Sequence, residues 1–257
     1  MTAPILAVDG VSKSFGGLRA VDAARFTVDA GSVTALIGPN GAGKTTMFDV
    51  ISGMTSPDEG TIMLEGRRID ACKPHTIARL GLARTFQLTR VFAGMQVMDN
   101  MLLANPRQPG EHLAGLLLHS RRGRESEHAA RAKATELLEV FGLAAKSAEY
   151  AGNLSGGQRK LLEVARILML EPRLVLLDEP MAGVNPSLGH RLLDHIAQLR
   201  REKGITFLFV EHDMDVVMTR ADRVIVMAQG SVIADGTPDK VRSDPRVIDA
   251  YLGGISA

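Results

Sequence analysis

Three apolar runs set the frame of the chain. Val33-Thr34-Ala35-Leu36-Ile37 stops at Gly38. Leu174-Val175-Leu176-Leu177 stops at Asp178-Glu179-Pro180. Ile205-Thr206-Phe207-Leu208-Phe209-Val210 stops at Glu211-His212. Short apolar and β-branched runs bounded by turn residues predict buried strands, and the fully apolar Leu174–Leu177 suits the centre of a parallel sheet covered on both faces. Further short strands are predicted at Ile5–Val8, Arg25–Val28 and Thr61–Leu64. The last is bracketed in hairpin fashion by Asp58-Glu59-Gly60 and Glu65-Gly66-Arg67-Arg68. Thr45 to Ile51 predicts a helix that ends at Gly53. Residues 76–165 are expected to be mostly helical, and residues 166–236 to return to strands alternating with helices. The tail carries two helix starts with proline in the first position, Thr237-Pro238 and Asp244-Pro245. The pattern as a whole predicts an α/β fold with a helical insert.

The ends of these strands carry the chemistry. Gly38-Pro39-Asn40-Gly41-Ala42-Gly43-Lys44-Thr45 is a G-x-x-x-x-G-K-[ST] loop between a strand and a helix. Its glycines let successive N–H groups point inward at phosphate oxygens, and the helix dipole adds to the same site. Lys44 can reach the β- and γ-phosphates, and Thr45, followed by Thr46, can offer a hydroxyl to Mg²⁺. Ligands of such sheets bind beyond the carboxyl ends of the strands. Asp178 and Glu179 therefore emerge near the phosphates if their strand neighbours the one before Gly38. Asp178 suits Mg²⁺, and Glu179 suits a base that polarises the attacking water.

A second candidate anion site follows from Leu154-Ser155-Gly156-Gly157-Gln158, which opens the helical pattern Arg159 to Arg166 with Ser155 as N-cap. Together with the phosphate loop, the carboxylate strand and Val210-Glu211-His212, this loop resembles the signature motif of the ABC (ATP-binding cassette) ATPases. The resemblance implies the P-loop ABC ATPase fold, with a mostly parallel core sheet, a small antiparallel β subdomain and a helical subdomain. It implies ATP and Mg²⁺ as cofactors. Ser155, Gly156, Gly157 and Gln158 would bind the γ-phosphate of ATP held by the other subunit. Phe15 matches the aromatic that stacks on adenine, although a strand-core phenylalanine fits the same residue. Gln87, in Arg84-Thr85-Phe86-Gln87, matches the loop glutamine that approaches Mg²⁺ and the attacking water. His212 matches the switch histidine at the γ-phosphate. One departure stands out: Asn185 lies where the family usually carries Asp in the loop crossing the dimer interface.

Composition narrows the class. Lys+Arg is 30 and Asp+Glu 29, a net charge of +1 with no nucleic-acid footprint. A single cysteine, Cys72, excludes a disulfide framework and fits a cytosolic compartment. No run approaches the roughly 18 apolar residues of a spanning helix, and the N-terminal segment lacks a signal-peptide pattern. The chain of 257 residues is expected to form one cassette domain. By the resemblance its nucleotide-binding core, with the β subdomain, is residues 1–87 and 166–257; residues 88–165 form the helical subdomain with the signature loop. Met95, Met98, Met101 and Leu102 sit at helical spacing after Phe92. They read equally as core or as an adaptable docking groove, and the resemblance favours the groove. Arg121-Arg122-Gly123-Arg124 is expected to be a solvated basic turn.

Longer stretches are similar to the ATPases of bacterial branched-chain amino acid importers, the LivG type. These are residues 81–87, 178–186 and 210–218, and the ending from Asp244 to Gly253. That resemblance implies two membrane permease subunits as partners, a second ABC ATPase as heterodimer partner or a homodimer instead, and an indirect link to a substrate-binding protein. It implies a peripheral location on the cytoplasmic face of the bacterial inner membrane. Urea or amide importers, the lipopolysaccharide-export ATPase and soluble ABC assembly scaffolds share much of this pattern. A non-hydrolysing regulator is disfavoured by Glu179 and His212. DNA-repair ABC proteins are disfavoured because the chain has neither a coiled-coil insertion nor zinc-spaced cysteines.

Overall fold

The computed structural model describes residues 4–85, 91–105 and 121–252. The chain divides into two compact units, residues 1–87, 173–182 and 196–257, and residues 88–172 with 183–195.

The first unit holds two sheets. Long antiparallel strands β1 (Pro4–Phe15) and β2 (Leu18–Asp29) pair with β4 (Glu59–Leu64) and β5 (Arg67–Arg68) in the order β2-β1-β4-β5. The second sheet has six strands: β3 (Val33–Ile37), β6 (Leu82–Arg84), β7 (Leu174–Asp178), β8 (Thr206–Val210), β9 (Arg223–Ala228) and β10 (Ser231–Gly236). Their order is β10-β9-β3-β8-β7-β6; every neighbouring pair is parallel except β9 with β10. All five residues of β3, β7 and β8 are buried, which explains why their sequences are mostly apolar rather than alternating, with one polar residue in each (Thr34, Asp178 and Thr206). Helix α1 (Lys44–Ile51) leaves the loop after β3. Its Met47, Phe48, Val50 and Ile51 share one buried cluster with Leu6, Val8 and Ile62 of the antiparallel sheet and with Leu36, Leu176 and Leu208 of the parallel one. Helix α2 (Pro74–Arg79) precedes β6.

The second unit is helical. It contains α3 (Val97–Leu102), α4 (Arg121–Val140), α5 (Gly156–Leu168) and the start of α6 (Pro186–Lys203). Asn100 is fully buried; its side chain accepts from the Phe92 N–H at 2.9 Å and donates to the Phe92 and Gln96 carbonyls at 3.0 Å, which pins the loop before α3. Lys133 closes the end of α5, donating to the Met169 carbonyl at 3.0 Å and pairing with Glu171 at 2.8 Å. The remaining elements, α7 (Met214–Arg220), α8 (Pro238–Arg242) and α9 (Pro245–Leu252), belong to the first unit.

Several expectations shift. β1 and β2 run 12 residues each, far beyond Ile5–Val8 and Arg25–Val28, because bulges between Val8 and Val11 and between Val11 and Lys13 let the ladder continue past Gly10. Leu82–Arg84 lies in a region expected to be mostly helical, yet it is a strand because β7 pairs with it at Leu174, Val175 and Leu176. The basic run from Arg121 opens α4 instead of forming a turn. The methionine stripe divides: Met101 is fully buried, whereas Met95, Met98 and Leu102 are half-buried beside exposed Phe92 and Leu103.

Candidate functional site

The phosphate loop takes its shape from backbone that only glycine adopts freely. Gly38, Gly41 and Gly43 have φ of +151°, +78° and +97°. A Cβ on Gly38 would stand 2.0 Å from the Met227 carbonyl oxygen, so β9 presses directly on the loop. Gly43 sits at the N-cap of α1 in the left-handed region. The loop and its surroundings enclose a cavity of about 660 Å³, lined by Asn40, Gly41, Ala42, Gly43, Lys44, Thr45 and Thr46 on one side. Phe15, Leu18, Arg19 and Ala20 come from the β1–β2 hairpin, Gln229 and Gly230 from the β9–β10 turn, and Glu179 and His212 from the ends of β7 and β8. Gly38 and Pro39 are not part of that lining; their carbonyls accept from Lys44 Nζ at 2.8 and 2.9 Å. Phe15 is 50% exposed at the end of β1, which removes the strand-core alternative for it. Lys13 Nζ lies 5.6 Å from the centre of its ring.

Charge is concentrated at the strand ends. Burial pushes the Lys44 ammonium below its usual range, and the charges of Glu179 and Asp178 work against that shift. Asp178 is buried at the end of β7; its N–H donates to the Thr85 hydroxyl at 3.1 Å, and its Oδ2 accepts from Arg84 at 3.1 Å. Arg84 also donates to Asp49 Oδ1 at 2.6 Å and to the Ser52 hydroxyl at 3.0 Å, tying α1 to the end of β7. Glu179 has φ of +47°, a left-handed conformation uncommon for such a residue. Its N–H donates to the Val210 carbonyl at 3.0 Å, and its Oε1 lies 2.7 Å from His212 Nε2. Among the described residues no group of three or more His, Cys, Asp or Glu converges into a metal cage. Thr45 lies in the cavity lining with its hydroxyl, whereas Asp178 is not part of that lining and its Oδ2 is held by Arg84.

In the helical unit, Ser155, Gly156, Gly157 and Gln158 open α5. The Ser155 hydroxyl accepts from the Gln158 N–H at 3.2 Å, and Gln158 Oε1 accepts from the Ser155 N–H at 3.0 Å, a complete capping box. A Cβ on Gly157 would meet Leu188 Cδ2 at 2.5 Å, so that glycine admits α6 close by. Asn185, the departure from the family pattern, caps α6: its Oδ1 accepts from the N–H and the hydroxyl of Ser187, each at 2.9 Å. Gln87 lies outside the described residues.

Four features at the site carry no motif in the sequence. Leu18, 69% exposed, and the Gln229–Gly230 turn reach the cavity through strand register alone. Arg84 was visible only as a neighbour of Gln87. Tyr251 of α9 meets Gly38: burial raises its hydroxyl above the usual value, and a backbone hydrogen bond at Gly38 works against that shift.

Residues 21–182 match the ABC transporter family model, and the chain belongs to that family of ATP-hydrolysing, nucleotide-binding cassettes. Residues 231–255 match a second model, described as branched-chain amino acid ATP-binding cassette transporter. The chain is 43% identical over 253 residues to the high-affinity branched-chain amino acid transport ATP-binding protein BraF of Pseudomonas aeruginosa, covering 98% of this chain and 99% of the relative. It is 40% identical over 253 residues to LivG of Escherichia coli, with the same coverage. Among solved structures it resembles the ADP conformation of an ATP-binding cassette of an ABC transporter, at a TM-score of 0.84 and 38% identity over 98% of this chain and 100% of that one. A nucleotide-free ATP-binding cassette gives 0.83 and 37% over 97% and 99%.

Proposed function

We propose that this chain is the ATP-hydrolysing motor subunit of a membrane transporter that imports branched-chain amino acids. The observation that carries the reading is the single cavity in which the phosphate loop, Phe15, Glu179 and His212 meet. Relatives that span almost its whole length are named as branched-chain amino acid transport ATP-binding proteins. The same names favour branched-chain amino acid transport over lipopolysaccharide export or an assembly scaffold.

The cavity holds ATP, with adenine on the open face of Phe15 and the phosphates on the N–H groups from Asn40 to Thr46. Lys44 exchanges its bonds to the Gly38 and Pro39 carbonyls for the β- and γ-phosphates. Thr45 and Asp178, with Gln87, would hold Mg²⁺, which neutralises charge that develops on the phosphate oxygens. Glu179 accepts a proton from the attacking water. His212 holds the Glu179 carboxylate from the side and donates to the γ-phosphate once ATP is in place. The Ser155–Gln158 loop supplies further N–H and hydroxyl donors to the γ-phosphate of ATP on a second ATPase subunit, so the dimer closes on ATP and opens after hydrolysis.

That cycle drives two membrane permeases, with a second ABC ATPase as the other half of the motor and a binding protein delivering cargo. Residues 88–165 act as the helical subdomain, and exposed Phe92, 52% exposed and 5.2 Å from the Arg166 guanidinium, belongs to the face that receives a permease helix. Among the described residues no helix is long and apolar enough to cross a membrane. The place proposed for the chain, beside the permeases on the cytoplasmic face, follows from the transport names of its relatives. The test is a mild-detergent pull-down of the tagged chain from its host. Two polytopic permeases and a second ATPase support the reading; soluble partners alone refute it.

A further inference from the structure

Glu211 is a buried carboxylate that the mechanism above does not use. Its residue is 5% exposed, and it is absent from the cavity lining. Two backbone donors converge on it. Oε1 accepts from the Met181 N–H at 2.7 Å, and Oε2 accepts from the His212 N–H at 3.3 Å. Met181 stands two residues after Glu179, across Pro180. The chain from Glu179 to Met181, the Glu211 carboxylate, the His212 backbone and the His212–Glu179 contact at 2.7 Å therefore make a closed ring.

We propose that Glu211 is a positioning residue for hydrolysis, fixing the relative placement of Glu179 and His212 by holding the loops that carry them. The type of side chain is informative. Two N–H donors approach two different oxygens, and only a carboxylate offers an acceptor at both. A carboxamide of the same shape would satisfy one donor and turn its own NH₂ against the other. Burial and the nearby Glu179 charge both disfavour a carboxylate here, yet the Met181 and His212 N–H groups are aimed at one. A hydrophobic side chain would fill the space without that conflict, so the geometry points to a requirement for two acceptors. The Glu179 backbone, at φ of +47°, is the kind of conformation that persists only when its surroundings hold it from several sides. Glu211 supplies one of those sides without touching the nucleotide.

This rests on Glu179 being the base, and the experiment separates the two ideas. Steady-state ATPase rates and binding of a fluorescent ATP analogue are measured on the full chain for wild type, E211Q, E179Q and the double variant. E211Q is expected to lower kcat by about ten- to a hundredfold, the effect of displacing a reacting group by a fraction of an ångström to 1 Å, with ATP affinity within about twofold of wild type. In the E179Q background it is expected to add almost nothing, because the pair it positions is already disabled. An unchanged kcat in E211Q, with E179Q inactive, overturns the positioning role and leaves the base intact. A normal rate in E179Q refutes the base and with it the ring. Should E211Q fail to bind ATP, E211D decides: it keeps both acceptors on a shorter arm, and normal affinity with reduced kcat supports the proposal, while loss of binding overturns it.

Discussion

Gly43→Ala tests how tightly the phosphate loop is held. Gly43 has φ of +97°, and a Cβ there would stand 2.3 Å from the Ala20 carbonyl oxygen and 3.3 Å from the Met227 methyl. The first distance is about 1 Å short of ordinary contact, and the obstacle is backbone. Ala20 belongs to β2, which is laddered to β1 and bonded at Asp22 to the Gly230 carbonyl at 2.9 Å, so the strand cannot give. The loop must move instead. A shift of about 1 Å takes N–H donors from about 2.9 Å to beyond hydrogen-bonding range of the phosphates. Each charge-assisted bond is worth about 1.5–3 kcal/mol, so losing two weakens ATP binding by about 3–6 kcal/mol, or roughly a hundred- to ten-thousandfold. The left-handed backbone adds about 1–3 kcal/mol of strain to the folded state. Titration with a fluorescent ATP analogue and a thermal melt read the two effects separately. An ATP affinity within threefold of wild type, on a folded variant, would refute the reasoning.

Other perturbations act on single groups. Glu179→Gln keeps the shape and the contact with His212 but removes the proton acceptor; turnover should fall about 10²–10⁴-fold while ATP stays bound, and an unchanged rate sinks the assigned role. Ser155→Ala deletes the hydroxyl of the capping box, which should lower stability by about 1 kcal/mol and Tm by about 2–4 °C; an unaltered melt would show that the cap is idle. Glu211 has a folded pKa raised above its ordinary 4.5 by burial, with Glu179 adding and the Met181 and His212 N–H groups opposing. Its contribution to stability is therefore full below about pH 4.5 and is lost as pH rises through the raised value. Melts of E211Q and wild type across pH should show the difference moving in favour of the variant as pH rises; a constant difference contradicts the assignment.

Legibility in the sequence followed the kind of constraint. The phosphate loop and Lys44 stood out because their spacing along the chain encodes backbone curvature, and Glu179 because it ends an apolar strand; His212 stood out only through the family resemblance. The structure brings those residues to one cavity. Leu18, Gln229 and Gly230 were silent, since hairpin turns reach the cavity through sheet order and carry no periodic signal. Ser155 was readable as a cap, but the reciprocal bond from Gln158 was hidden behind its place in a phosphate motif. β6 is three residues long, too short for any period to show, and exists because β7 offers it a ladder. Met101 and Met98 look alike in sequence, and only the packing of α3 buries the first completely and the second in part. Glu211 was eclipsed by the histidine beside it.

The left-handed backbone at Glu179 also bears on how this chain would respond to selection for heat resistance. Glycine adopts that conformation freely and asparagine adopts it more readily than glutamate, so either would relieve about 1 kcal/mol at position 179. A library screened only for soluble, long-lived protein would enrich such replacements. Each survivor would be sturdier than the parent and unable to turn over ATP. Hardening this protein for practical use therefore requires a turnover readout in the same screen, with position 179 closed to exchange.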